Sequence, residues 1–368
     1  MYLFSRFIEG IRQYDWILTC AVVLLMAIGL SAVYSIDLSR GGELVLTPRQ
    51  GLSMILGFGC MWVFGGIHRT TYRRTAPYIF IFSFLLLAAV LIFGTTIRGT
   101  TGWFRLGGFS FQPVEFAKIA RILFTAYLIE RHARRFERLE FFLGTLLSTG
   151  LVMGLVLLQP DTGSALVLAG IWFGMFALTR TRRRYIFGIM GVGVVAAVLA
   201  WFFLLAPYQK DRILAFVHGG NAEADASYNL EQSIIAIGSG QVTGRGLGFG
   251  SQSQLHFLPE AQTDFIFAAI GEELGFFGAV ILLALFCVII GRLLWLSTRA
   301  SDDFEAYTLI GIAVLFSLHL AINVLGVLRL LPLTGIPLPF VSYGGSSLIM
   351  SCIVIGVGQS MARSRKRV

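Results

Sequence analysis

The chain has 368 residues, of which 56% are hydrophobic and only 13% charged, and it carries a formal net charge of +9. Soluble globular domains carry about 25% charged residues, so a soluble enzyme is excluded and a polytopic membrane protein remains. At about 20 residues per span, this length holds some ten membrane helices and leaves no room for a separate catalytic domain, so any chemistry must sit in loops or between helices.

Ten apolar runs follow one another, at roughly 15–36, 48–67, 76–94, 112–130, 141–158, 162–179, 185–206, 266–296, 306–330 and 341–361. Arg6 and Arg12 precede the first run, and no small-residue cleavage site follows them, which reads as an uncleaved span. Arginines cluster at 131–138, at 180–184 and at the C-terminus, in the short connections that would face one side. With the N-terminus taken as cytoplasmic, the inside segments hold more than twice as many Lys and Arg as the outside ones. That places both termini in the cytoplasm. No aromatic residues alternate with these charges, so nucleic acid is not the partner and membrane lipid is. The expectation is an all-α bundle forming one integral membrane domain over 1–368, with about ten transmembrane helices and one long extracytoplasmic loop, about 207–265. A loop of this length argues for a function.

Between the spans, Thr95 to Phe111 forms a shorter outer segment holding Trp103 and Arg105, and Gln159-Pro160-Asp161 makes a tight outer turn. Cys20, Cys60, Cys287 and Cys352 lie far apart in apolar runs, which indicates neither a disulfide framework nor a metal site. Gly244 to Gly250 is glycine-rich but lacks the strand–helix context of a phosphate loop, so it reads as turns. His218 and His256 have no metal-ligand spacing, and His319, on an apolar run, reads as a hydrogen-bonded interior residue.

Asp264 stands where the long loop enters the eighth run, in Leu258-Pro259-Glu260-Ala261-Gln262-Thr263-Asp264-Phe265. A carboxylate at such an edge is either a partly desolvated general base or a helix N-cap, and position alone divides these evenly. Glu272 and Glu273 are adjacent and point to different helix sides, so they form no dyad, although Glu273 has a claim to support the site. Pro113 and Glu115 suit a helix start, but Lys118, one turn deeper, makes an intramembrane charge pair that is either functional or a structural ion pair. Asp161 is placed to cap the sixth helix or to serve a site. Arg105 and Trp103 would suit a pyrophosphate and a sugar face, although Trp103 would equally be an interface anchor. Near the C-terminus, Asn323 to Ser347 reads NVLGVLRLLPLTGIPLPFVSYGGSS, and its three prolines break what would otherwise be continuous helix. Such a break persists in a membrane only where protein or water surrounds it.

Taken in order, residues 112–118, 159–164, 207–216, 228–275 and 323–347 resemble the motifs of the SEDS family (shape, elongation, division and sporulation proteins). Within it, Thr334-Gly335-Ile336-Pro337-Leu338-Pro339-Phe340 is most similar to the cell-elongation branch. Gln262 stands where many members carry His, and Arg329 replaces a more usual Gly. The resemblance implies a peptidoglycan glycosyltransferase of the bacterial cytoplasmic membrane that polymerises lipid II, lengthens an undecaprenyl-linked glycan and releases undecaprenyl pyrophosphate. It makes Asp264 the catalytic base. It brings Glu115, Lys118 and Asp161 to a central cavity, together with Ser342 and Tyr343 of the C-terminal motif. The leaving group would call on Lys118, Arg105 or Arg212, with room for a divalent cation, magnesium or manganese. It also implies a class B penicillin-binding protein as partner, docked on the later runs, 266–296 and 306–330. Two rival readings stay open: a lipid II flippase, which would share the cavity without needing one irreplaceable carboxylate, and a non-enzymatic scaffold, which would need neither.

Overall fold

A computed structural model describes residues 14–40, 44–97, 99–106, 109–132, 139–179, 183–203, 205, 210, 214, 216 and 224–363. Each of the ten apolar runs is a helix: α1 (Trp16–Leu38), α2 (Leu46–Gly66), α3 (Arg69–Phe93), α4 (Pro113–Arg131), α5 (Leu139–Leu158), α6 (Thr162–Ala177), α7 (Arg183–Phe203), α10 (Ile266–Ser297), α11 (Asp303–Val327) and α12 (Gly345–Arg363). Six of these are long and apolar enough to cross a membrane by length and composition, among the described residues. With its helical runs and membrane-length spans, the protein is a polytopic helical membrane protein.

Helix starts follow local chemistry. Asp15 accepts from the amide of Leu18 and caps α1 at 3.2 Å, Asp302 caps α11 through the amide of Glu305 at 2.9 Å, and Pro113 occupies the first position of α4. Asp37, buried at the end of α1, reaches over to the start of α2, where its Oδ2 accepts from the amides of Leu46 and Thr47 at 2.9 Å each. α11 runs through the middle of the bundle and packs on α4, α6, α10 and α12. α12 lies along α2 so closely that a Cβ on Gly356 would stand 2.7 Å from the carbonyl oxygen of Met61, the small-residue packing that membrane helices use in place of a hydrophobic driving force. At one end, Arg69 pairs with Glu305, and Arg73 pairs with Asp302 and, at 3.0 Å, with Glu130, which ties α3, α4 and α11 together.

Two segments differ from the sequence expectation. Thr95 to Phe111, expected only as a loop, forms a three-stranded antiparallel sheet in the order β1 (Thr95–Ile97), β2 (Thr100–Leu106), β3 (Phe109–Phe111). The long loop holds α8 (Ala224–Ser239) and the short α9 (Ser251–Gln254). α8 packs against α10 and α11, and Ser233 donates from it to the carbonyl of Val327 at 2.9 Å.

α10 is broken at Gly275 (φ 66°), and the glycine-rich turns mend the break. Arg245 and Gly246 donate to the carbonyls of Glu272 and Glu273 at 3.0 and 2.9 Å, and Phe276 and Phe277 donate to Gln241 and Val242 at 2.9 and 3.2 Å. Backbone groups freed by the break thus find partners within the protein, as a membrane requires. The turns from Gln241 to Gly246 therefore serve as a backbone clip.

Candidate active site

The helix starts of α2, α4, α6, α10 and α12, the sheet and the proline-rich segment before α12 surround a cavity of about 960 Å³. Because Pro113 begins α4, Glu115 falls in its first turn and Lys118 one turn later on the same side. Their side chains pair at 2.7 Å, both buried, and Lys118 Nζ lies 3.3 Å from His319 Nε2 on α11. His319 is thus the hydrogen-bonded interior residue the sequence suggests. Burial makes this pair costly to break, since removal of one partner strands the other charge.

Asp161 does two things at once. One carboxylate oxygen accepts from the amide of Ser164 at 2.9 Å and caps α6, while the other lies 3.4 Å from Gln112 Nε2 at the start of α4. The capping role read from the sequence is present, and the same residue lines the cavity.

The segment carrying Asp264 is held from behind. Thr263 and Asp264 donate through their amides to the carbonyl of Glu260 at 3.0 and 3.2 Å. Ser342 Oγ donates to the carbonyl of Thr263 at 2.7 Å, the amide of Tyr343 donates to Gln262 at 2.8 Å, and Asn323 Nδ2 donates to the carbonyl of Asp264 at 3.1 Å. α10 starts after Phe265, which is its cap residue and offers no side-chain capping bond. Asp264 precedes that cap, half-buried, on the cavity wall.

The cavity therefore brings together Asp264, Glu115, Lys118, Asp161, Trp103 and Tyr343. Ser342 stands behind the wall, buried and hydrogen-bonded, and does not line it. Arg105 sits on β2 opposite Ser110, exposed and off the cavity lining. Glu273 also lies away from the cavity. It accepts from Ser35 Oγ, from Gln254 Nε2 at 3.3 Å and from the amide of Gly248 at 3.4 Å, while Glu272 holds the first amides of α9, from Gln252 at 2.8 Å and Ser253 at 3.0 Å. Both acids fasten the loop to α10, because a carboxylate can collect several loop donors at once. Arg212 lies outside the described residues.

Three residues that sequence reasoning did not place now have positions. Arg49, in the first turn of α2, lines the cavity. Asn323 bridges Asp264 to Ile336, and Ser346 Oγ accepts from the amide of Gln112 at 3.3 Å. The prolines around Ile336 signalled a broken helix, but nothing marked which polar side chain would hold the break. Among the described residues, no group of three or more His, Cys, Asp or Glu is placed to hold a metal ion, so the side chains present do not by themselves fit the divalent cation that the resemblance admits.

Residues 12–367 match the family model described as cell cycle protein, FtsW/RodA/SpoVE. A relative from Geobacter sp. (strain M18), named probable peptidoglycan glycosyltransferase FtsW, is 35% identical over 96% of both chains. The peptidoglycan glycosyltransferase MrdB of Escherichia coli K12 is also 35% identical, over 94% of this chain and 93% of its own. Among solved structures, the rod shape determining protein RodA of Thermus thermophilus superposes with a TM-score of 0.73 at 29% identity, covering 96% of this chain and 98% of that one. A chain from work on the structural coordination of polymerization and crosslinking by a peptidoglycan synthase complex superposes with a TM-score of 0.79 at 28% identity, over 96% and 99% of the two chains. With a family model spanning nearly its whole length and relatives this similar over almost all of theirs, the chain belongs to the FtsW/RodA/SpoVE family of multi-pass membrane proteins.

Proposed function

We propose that this chain, a peptidoglycan glycosyltransferase like its relatives, polymerises lipid II with Asp264 as the general base. The carrying observation is the placement of Asp264 on the wall of a cavity of about 960 Å³, fixed from behind by Asn323, Ser342 and Tyr343 and facing the same space as Glu115, Lys118 and Asp161. In the reaction, the acceptor 4-hydroxyl oxygen bonds to the anomeric carbon of the lipid-linked donor as its proton passes to the Asp264 carboxylate. The bond from that carbon to the pyrophosphate oxygen breaks, and the electron pair leaves with undecaprenyl pyrophosphate. Such a displacement needs a positioned base and positive charge near the leaving oxygen. Trp103, on the cavity wall, offers a flat surface for a sugar ring. Purified protein given lipid II, with glycan strands resolved on a gel, tests this reading. Long strands support it, whereas substrate transport without strands would favour the flippase.

The biological setting we propose is cell elongation, in the cytoplasmic membrane, with both termini inside. The Thr334 to Phe340 segment supports elongation, although relatives named FtsW and MrdB are equally similar in sequence. Rescue of rod shape in a strain depleted of its own elongation enzyme, against rescue of septation, decides between them. A class B penicillin-binding protein is the proposed partner, and the solved synthase complex supports it. Of the two runs expected to receive it, α11 is largely interior, with Phe304, Ile312 and Phe316 at 1% exposure or less. α10 instead presents Phe276, Phe277 and Ile281 outward, a surface suited to a single membrane helix.

A further inference from the structure

We infer that the end of the bundle opposite the cavity holds a binding site for the phosphate of an anionic phospholipid, built by Arg292, Trp295 and Arg299. α10 starts at the cavity, and beyond its break at Gly275 the stretch from Phe276 to Ser297 adds about 33 Å of helix, enough to cross the hydrocarbon. Arg292 and Trp295 lie in the last two turns of that stretch, and Arg299 follows just past its end. The spacing i, i+3, i+7 brings all three to one side of the helix end. Both guanidinium carbons stand over the Trp295 ring, at 4.1 Å from its centroid for Arg292 and 3.9 Å for Arg299.

The membrane boundary lies at this level. Val288, two turns before Trp295 on the same side, is exposed, as is Leu294, and an apolar stripe exposed along a span faces lipid. Tyr14, Trp16 and Trp62 gather beside Asp15 at the same end, with ring centroids 4.4 Å apart for Tyr14 and Trp62 and 6.3 Å for Trp16 and Trp62. Aromatic rings collected in this way mark the level of the headgroups.

Fold stability accounts for only part of this charge. Arg292 pairs with Asp15, through Nε at 2.9 Å and Nη2 at 2.8 Å, and so ties α10 to the cap of α1, while its Nη1 takes no part in that contact. Arg299 is exposed and makes no ion pair among the described residues. Asp302, the acid nearest to it in sequence, is held by Arg73 and caps α11. A cation at the end of a helix is favoured by the macrodipole, which explains one arginine but not two gathered on a single ring. Two guanidiniums and one carboxylate leave a positive site beside lipid, where basic pockets at helix ends take phospholipid headgroups. A guanidinium suits that ligand because its planar fork meets phosphate oxygens in pairs.

Lipid binding at this end does not depend on the glycosyltransferase reading, and the test measures it directly. The full chain, stripped of lipid in detergent, is titrated at physiological salt with phosphatidylglycerol, with phosphatidylcholine and with soluble glycerol phosphate, and bound molecules are counted by native mass spectrometry. Phosphatidylglycerol should bind the parent protein more tightly than either of the others. Arg299→Gln should weaken it by roughly 10- to 100-fold, the size of a lost charge-assisted contact. Arg299→Lys should fall between, keeping charge without the fork. Arg74→Gln removes an exposed charge on α3 at the same end and should cost less than about 5-fold, the part due to surface attraction alone. Equal binding of the two phospholipids would overturn the proposal, as would glycerol phosphate binding as tightly as the lipid. So would a loss in Arg299→Gln no larger than that in Arg74→Gln, since the attraction would then be general surface charge.

Discussion

The side-chain amide of Asn323 donates to the carbonyl oxygen of Asp264 at 3.1 Å and to that of Ile336 at 2.9 Å, joining the loop before α10 to the proline-rich segment before α12. Neither segment is regular where they meet, so this one side chain supplies donors that secondary structure cannot. Asn323→Leu should leave two carbonyls without that donor, at about 1–3 kcal/mol each when buried, and let Asp264 drift from its place. The expected outcome is a lower melting temperature together with slower strand synthesis. Unchanged values of both would show that the bridge does not hold the site.

Glu115 and Lys118 should behave as a coupled pair. Lys118→Met strands a buried carboxylate, which costs about 3–5 kcal/mol, whereas Glu115→Gln with Lys118→Met should recover much of that stability without restoring activity. Denaturant unfolding of Lys118→Met, Glu115→Gln and the double variant in detergent measures the coupling, and purely additive losses would argue against a tight pair.

At Gly275, φ is 66° and an added Cβ would stand 2.2 Å from the amide nitrogen of Gly244. Gly275→Ala should therefore open the clip between the 240–246 turns and the broken α10. Hydrogen exchange at Phe276 and Phe277, which donate to Gln241 and Val242, should accelerate while exchange in α12 stays slow. Equal protection in both proteins would show that the turns do not secure the break.

The proposed sidedness rests on the charge bias. A cysteine introduced at exposed Thr243, in a chain whose four native cysteines are alanine, should react with a membrane-impermeant maleimide added outside intact cells. Labelling only after permeabilisation would reverse the topology.

The ten helices were legible because hydropathy reports directly on what a bilayer demands of backbone and side chain. Glu115 with Lys118 and the cap at Asp161 were legible for a similar reason, since helical spacing and helix-start chemistry are local. What escaped depends on chain meeting chain. The sheet is built from strands of three and seven residues, too short to show alternation against glycines. The break at Gly275 hides in a continuous apolar run because the groups that mend it lie some thirty residues earlier. The surroundings of Glu273 escaped for the same reason, as its partners Ser35, Gly248 and Gln254 come from distant segments. Arg49 resembles any positive residue beside a span until the fold turns it toward the cavity.

Asp264 as the base is tested by the rate of glycan-strand synthesis from lipid II by purified Asp264→Asn. Asn keeps the size of the side chain and most of its hydrogen bonding, and the main-chain contacts to Glu260 and Asn323 do not involve the carboxylate. It cannot accept the proton of the acceptor hydroxyl. A base at Asp264 predicts a folded protein that binds lipid II normally and turns over roughly 10²- to 10⁴-fold more slowly. A folded Asp264→Asn protein that builds strands at close to the parental rate would contradict it.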